Sequence, residues 1–163
     1  MKKCLGWAFV FLFAACSMVS SLQAGESFRR ERIAPELSLK GLKGKTYTLS
    51  SYRNKQSVAL FFLTTQCPLC PPELKMVNDL YPQLQKDDLE VLAIDVGEPA
   101  SKVESFAQKH ALFIPMLLDT DTSIARDYYV LGVPTVIIIN KAGNIVYEGN
   151  RFPKGAYKKM IAQ

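Results

Sequence analysis

At 163 residues the chain has room for one domain with a real hydrophobic core and not comfortably for two. Its 48% hydrophobic and 21% charged residues lie close to a globular average, which excludes a disordered chain and a multi-span membrane protein. The formal net charge of +5 comes from scattered basic residues, and the one cluster, Arg29 to Arg32, reads as a solvated segment ahead of the fold, so nucleic acid is not an expected partner.

Lys2 and Lys3 precede an apolar run from Leu5 to Ala15, the charge-then-hydrophobe order of an export signal and too short to span a bilayer. Two processing routes fit. Cleavage after Ala24 gives an export signal over 1–24 and a single domain over 25–163. Cleavage before Cys16, at Phe13-Ala14-Ala15-Cys16, resembles a bacterial lipoprotein signal over 1–15 and leaves a lipid anchor at Cys16. Both deliver the domain outside the cytoplasm, periplasmic or exported, free in the first case and membrane-tethered in the second. Loss of Lys2 and Lys3 without any acid takes the charge from +5 to +3.

Beyond the signal, the stretch from Ala34 to Leu39 and the segment through Tyr52 predict short strand pieces and turns, with Gly41 and Gly44 as breakers. Ser57 to Thr65, SVALFFLTT, is a continuous apolar run of the length expected of a strand buried on both faces. From Pro71 to about Gln85, Leu74, Val77, Leu80, Tyr81 and Leu84 recur at helical spacing, and Pro82 predicts a kink or a division there. Leu89 to Val96 predicts a second buried strand and Ala100 to His110 a helix with Val103, Phe106, Ala107 and His110 on one face. Phe113 to Leu118 is expected to be extended, Thr122 to Tyr129 a short helix, and Val133 to Asn140 a third apolar strand. Lys141 to Asn144 is a hairpin turn into Ile145 to Gly149, and a helix near Lys154 to Ile161 closes the chain. Strand and helix alternate until the terminal hairpin, which predicts an α/β fold with a mixed central sheet and helices on both faces.

Between the first strand and the first helix lies TTQCPLCPPE. Cys4 is in the signal and Cys16 is either removed or lipidated, so Cys67 and Cys70 are the only cysteines of the domain. Such a pair can be a redox catalyst, half of a zinc site or a structural bridge. Zinc needs four ligands and His110 is the one further candidate, so no metal is expected. A bridge closing so short a loop gains little chain entropy. Redox work needs a thiol that is reachable and whose thiolate is stabilised, which the start of a helix supplies. Cys67, at the strand-to-helix junction, is thus the expected nucleophile and Cys70, one turn further in, the resolving thiol. In an oxidising compartment the pair closes unless something reduces it.

The strand followed by Cys-Pro-Leu-Cys, the Gly132-Val133-Pro134-Thr135 stretch and the closing hairpin resemble the thioredoxin superfamily, specifically its exported TlpA/ResA-like thiol-disulfide oxidoreductases. APELSLKGLKGKTYTLSSYRNK, Glu73, FIPMLLDTDTSIARDYYVLGVPT and INKAGNIVYEG extend the resemblance from about Ala34 to Ile161. It implies a thioredoxin-like fold, a cis Pro134 facing the cysteines, and a Val133 backbone that pairs with an incoming peptide. It gives Glu73 the position of a carboxylate acting on protons near the buried cysteine; the alternative is a first-turn acid favoured by the helix dipole. It implies no cofactor. Its partners would be proteins carrying disulfides or dithiols, with an upstream membrane thiol donor.

The departures carry information too. Phe61 stands where thioredoxins place a buried aspartate, and Gln66 where they place a tryptophan. Pro71 and Pro72 remove backbone donors from the first helical turn, which weakens stabilisation of the Cys67 thiolate and favours a reductant over a strong oxidant. Two rivals remain. Thr64-x-x-Cys67 matches part of a peroxiredoxin site, although Leu60 replaces its proline, and two thiolates with a histidine suit a copper chaperone on the same fold. Tyr128 and Tyr129 read as core or rim packing and His110 as a helix cap or an edge-of-core residue.

Overall fold

A computed structural model describes residues 32–163, so the export signal and both cleavage sites lie outside the described residues. In chain order the elements are β1 (Ser38–Lys40), β2 (Thr46–Thr48), a 3-10 turn (Leu49–Ser51), β3 (Ser57–Leu63), α1 (Cys70–Lys86), β4 (Leu89–Val96), α2 (Ala100–Lys109), β5 (Met116–Asp119), α3 (Ser123–Asp127), β6 (Thr135–Ile139), β7 (Ile145–Gly149) and α4 (Tyr157–Ile161). The main sheet runs β5-β4-β3-β6-β7, with β3, β4 and β5 parallel and β6 and β7 antiparallel to their neighbours. Every residue of β3 is buried, as a strand with neighbours on both edges and cover on both faces must be.

Strand alternation sorts the apolar runs into two cores. Phe61, Leu63, Val91, Ala93, Val136 and Ile138 meet Leu74, Val77, Tyr81 and Leu84 of α1, Val103 and Phe106 of α2 and Tyr157 of α4. Leu60, Phe62, Leu92, Ile94, Ile137 and Ile139 meet Ile124 and Ala125 of α3 together with Ala34, Leu37, Leu39 and Leu49 of the first segment. The result is the predicted α/β arrangement, a mixed five-stranded sheet with helices on both faces. The small β1-β2 ladder joins the far edge through the bridge of Gly41 to Leu117. A Cβ at Gly41 would lie 3.0 Å from the Tyr47 ring and 3.3 Å from the Met116 carbonyl oxygen, so this approach needs glycine.

Two helical expectations change. Pro82 does not divide α1, which runs unbroken over 17 residues. The missing proline N–H removes one ladder bond near the end of the helix, while the buried stripe of Leu74, Val77, Tyr81 and Leu84 holds both sides of it to the sheet. Asn78 adds a polar fastening: its Oδ1 accepts the amides of Phe113 at 2.9 Å and Ile114 at 3.3 Å, and its Nδ2 donates to the Ala111 carbonyl at 3.4 Å. The other change is at the start of α1, which opens at Cys70 itself, so Cys67 sits in the turn that precedes the helix.

Candidate active site

β3 ends at Leu63, and the chain turns through Thr64 to Leu69 before α1 begins. Two turn bonds fold this loop: the Cys67 amide donates to the Thr64 carbonyl at 3.2 Å and the Cys70 amide to the Cys67 carbonyl at 3.3 Å. They bring Cys67 and Cys70 to a Cα separation of 5.4 Å, and the two are joined as a disulfide. The pair is asymmetric. Cys67 keeps 8% of its surface and Cys70 none, so a reagent from solvent meets Cys67 first. Pro71 and Pro72 follow directly, leaving Cys70 and Glu73 as the only N–H donors among the first four helical residues.

The approach to β6 brings a second segment to the sulfurs. The Val133-Pro134 peptide is cis, as the resemblance implied, and Cys67 Sγ lies 3.7 Å from the Val133 carbonyl oxygen. A disulfide sulfur has no proton to give, so this contact becomes a hydrogen bond only when Cys67 is a thiol. Pro134 is buried and Thr135 Oγ1 donates to the Gly132 carbonyl at 2.7 Å, tying the segment's bend. Beside it opens a groove of about 370 Å³ lined by Leu69, Tyr129, Leu131, Val133, Pro134 and Glu148, among others. Leu69 is 68% exposed, Tyr129 80% and Leu131 fully so. Solvated aromatic and aliphatic side chains gathered next to one reactive bond form a surface that an apolar partner segment can cover.

The tyrosine pair therefore divides between core and rim. Tyr128 is buried, packs against Phe62 and donates to the Pro35 carbonyl at 2.5 Å, whereas Tyr129, at a φ of 54°, turns out into the groove. Leu131 was not singled out by the sequence, because a lone exposed leucine looks like any loop residue until the groove around it is known.

Sequence reasoning also passed over an acidic network behind the loop. Glu98, just past the end of β4, accepts the Thr65 amide at 2.5 Å, the Thr65 hydroxyl at 2.9 Å and Lys102 Nζ at 2.9 Å, with Gln66 Nε2 at 3.5 Å. Burial opposes its charge, but the Thr65 amide, Lys102 and the Thr65 hydroxyl outweigh it and hold the carboxyl at about 2. Asp95 lies three residues earlier and has no exposed surface; its Oδ1 accepts the Glu98 amide at 3.3 Å and its Oδ2 has no partner. Burial, reinforced by Glu98, pushes the Asp95 carboxyl up to about 7.

The remaining candidates are placed as follows. Glu73 is half-buried, and its Oε1 accepts the Phe152 amide at 2.7 Å, so it fastens the loop after β7 to the first turn of α1. His110 caps α2, with its ring 4.5 Å from the Phe106 ring. Among the described residues, no group of three or more His, Cys, Asp or Glu side chains is placed to hold a metal ion.

Residues 31–148 match the AhpC/TSA family. Curated relatives include the thiol-disulfide oxidoreductase ResA of Geobacillus thermodenitrificans, 38% identical over 112 residues, a match covering 69% of this chain and 64% of that protein. The protein of the same name from Bacillus subtilis is 31% identical over 121 residues, covering 74% and 67%. The match thus spans somewhat less than two thirds of the Geobacillus relative's length. Solved structures with the same thioredoxin-like fold include the thioredoxin domain of a thiol-disulfide oxidoreductase from Bacteroides vulgatus, with a TM-score of 0.72 at 17% identity over 80% of this chain and 96% of that one. A thiol:disulfide interchange protein of the thioredoxin family from Chlorobium tepidum gives a TM-score of 0.70 at 20% identity, covering 82% and 95%.

Proposed function

The chain belongs to the AhpC/TSA family of the thioredoxin superfamily, and on that footing we propose that it is a thiol-disulfide oxidoreductase acting on protein disulfides outside the cytoplasm. The observation that carries this reading is the asymmetric pair, a reachable Cys67 bonded to a buried Cys70 beside the Val133 carbonyl and an apolar groove. In the reductive direction the Cys67 thiolate attacks one sulfur of a substrate disulfide and expels the other as a thiolate. Cys70 then attacks Cys67 in the mixed disulfide, expels the second substrate thiolate and closes the Cys67–Cys70 bond. Two electrons pass to the substrate, and a membrane dithiol donor restores the enzyme, being oxidised to its own disulfide.

The scarcity of N–H donors in the first turn of α1 supports the reductive direction. A thiolate with little dipole support makes the reduced pair less stable, and so a better electron donor. The Val133 backbone is positioned to pair with a substrate strand, Pro134 gives it close access, and Leu69, Tyr129 and Leu131 would cover the strand's apolar side chains. Glu73 serves as a proton acceptor for Cys70 when that thiol attacks. The lysine-led apolar signal supports export, with the domain over 25–163, or tethering through a lipid on Cys16.

A turbidity assay of insulin reduction by dithiothreitol tests the reading. The mature protein accelerates it, Cys67→Ser abolishes the acceleration, and Glu73→Gln slows it near neutral pH. Turnover of hydrogen peroxide without insulin reduction would contradict the proposal and favour a peroxidase.

A further inference from the structure

Among the described residues only two buried side-chain oxygens lack a hydrogen-bond partner, Ser57 Oγ and Asp95 Oδ2, and the second belongs to a potential anion. A carboxylate enclosed in protein with one oxygen facing no donor is a costly arrangement. A proton on Oδ2 resolves it, because the carboxylic acid becomes a donor. Glu98, its immediate neighbour, is the acceptor at hand: its own amide already bonds Asp95 Oδ1, and its carboxylate is fixed by Thr65 and Lys102. Two enclosed carboxyls side by side hold one proton more readily than none.

The pair lies behind the loop that leads into Cys67. Asp95 is in register with Leu63, the last residue of β3, and two residues on from Ala93, which faces the same core as Cys67 and Cys70. Asp95 thus lies on the cysteine side of the sheet. Glu98 grips Thr65 and reaches Gln66, the two residues leading into Cys67. The charged groups bearing on Asp95 are Glu98, from the turn after β4, and Lys102, from the first turn of α2. Asp119 of the neighbouring β5 accepts the Ile124 and Ala125 amides of α3, which packs on the opposite face.

We propose that Asp95 and Glu98 share one proton and act as a positioning pair for Cys67, so that release of that proton to solvent puts a second negative charge behind the Thr65–Gln66 strap and disfavours the Cys67 thiolate. This deepens the proposed function, since it rests on Cys67 being the attacking thiol. The upward push on Asp95 to about 7 places the change within the working range of an exported protein. The reduced enzyme becomes less nucleophilic on the alkaline side than its thiol alone would make it.

The test measures carbamidomethylation of Cys67 by iodoacetamide in the reduced full-length protein between pH 5 and 9, with peptide mapping to separate Cys67 from Cys70. The wild type should show a second inflection near pH 7 beside that of the thiol. Asp95→Asn, whose amide still donates to Glu98, should follow a single ionisation and react faster at pH 8, by about tenfold for each 1.36 kcal/mol of charge repulsion removed. Glu98→Gln should move the inflection to lower pH. Superimposable profiles for wild type and Asp95→Asn would overturn the proposal. Should a variant fail to fold, ¹³C-carboxyl NMR of the wild type decides: an aspartate titrating near pH 7 is expected, and none above pH 5.5 would overturn it. Because alkylation needs no protein substrate, a chain that ignores insulin yet shows the Asp95-dependent profile would refute the proposed activity and leave this inference standing.

Discussion

Asp95 is a buried carboxyl with one oxygen unpartnered. Its carboxyl is pushed from 3.8 up to about 7 by burial and by Glu98, so between those values the unfolded chain gives up a proton that the native chain retains. Stability from this group is greatest below about pH 4 and falls as pH rises through 7. Glu98, held at about 2, contributes in the opposite sense, its share present above its ordinary 4.5 and lost as pH falls below that. Asp95→Asn should therefore be no better than wild type at pH 4 and gain steadily towards pH 8, by on the order of 4 kcal/mol at 1.36 kcal/mol per unit. Urea denaturation of the oxidised proteins across that range measures it, and a gap that does not change with pH would contradict the assignment. The cysteines were legible from sequence because thiol chemistry is carried by spacing and by the lack of other ligands. Asp95 was not, since an aspartate next to last in LEVLAIDV looks like a strand terminus, and only the register with Leu63 places it behind the cysteine loop.

At the scale of elements, α1 carries Cys70 and is held by both its apolar stripe and Asn78. The Asn78 amide meets three backbone groups of residues 111–114, none of which has another role in the helix or sheet ladders. Asn78→Leu keeps the branched shape but removes the partner of all three groups, and should destabilise the protein by about 3 kcal/mol in urea unfolding. A loss below about 0.5 kcal/mol would mean that the loop finds water or other partners. The long elements were readable because β3, β4 and β6 are unbroken apolar runs and α1 has a clear helical stripe. Their ends were less so: β5 occupies Met116–Asp119 where Phe113 to Leu118 was expected, and α3 shrinks to Ser123–Asp127. Pro82 misled in the other direction, because a local penalty is small against a stripe of buried side chains.

Across the whole molecule the site is assembled from segments far apart in sequence: the Thr64–Cys70 loop, the end of β4 through Glu98, and the Val133-Pro134 approach to β6. The central position of β3, between parallel β4 and antiparallel β6, sets all three at one end of the sheet. The alternation of strands and helices was enough to read the α/β architecture, whereas the pairing of the cysteines with a cis proline came only through the family resemblance. The groove of Leu69, Tyr129 and Leu131 could not be read, since it exists only once the loops meet. The central claim is that Cys67 attacks and Cys70 resolves. Reduced Cys70→Ser protein mixed with a peptide disulfide tests it most directly, by mass spectrometry under non-reducing conditions. The account predicts a persistent one-to-one adduct mapped to Cys67, absent from the wild type, which releases it. An adduct that forms only in Cys67→Ser, on Cys70, would contradict it.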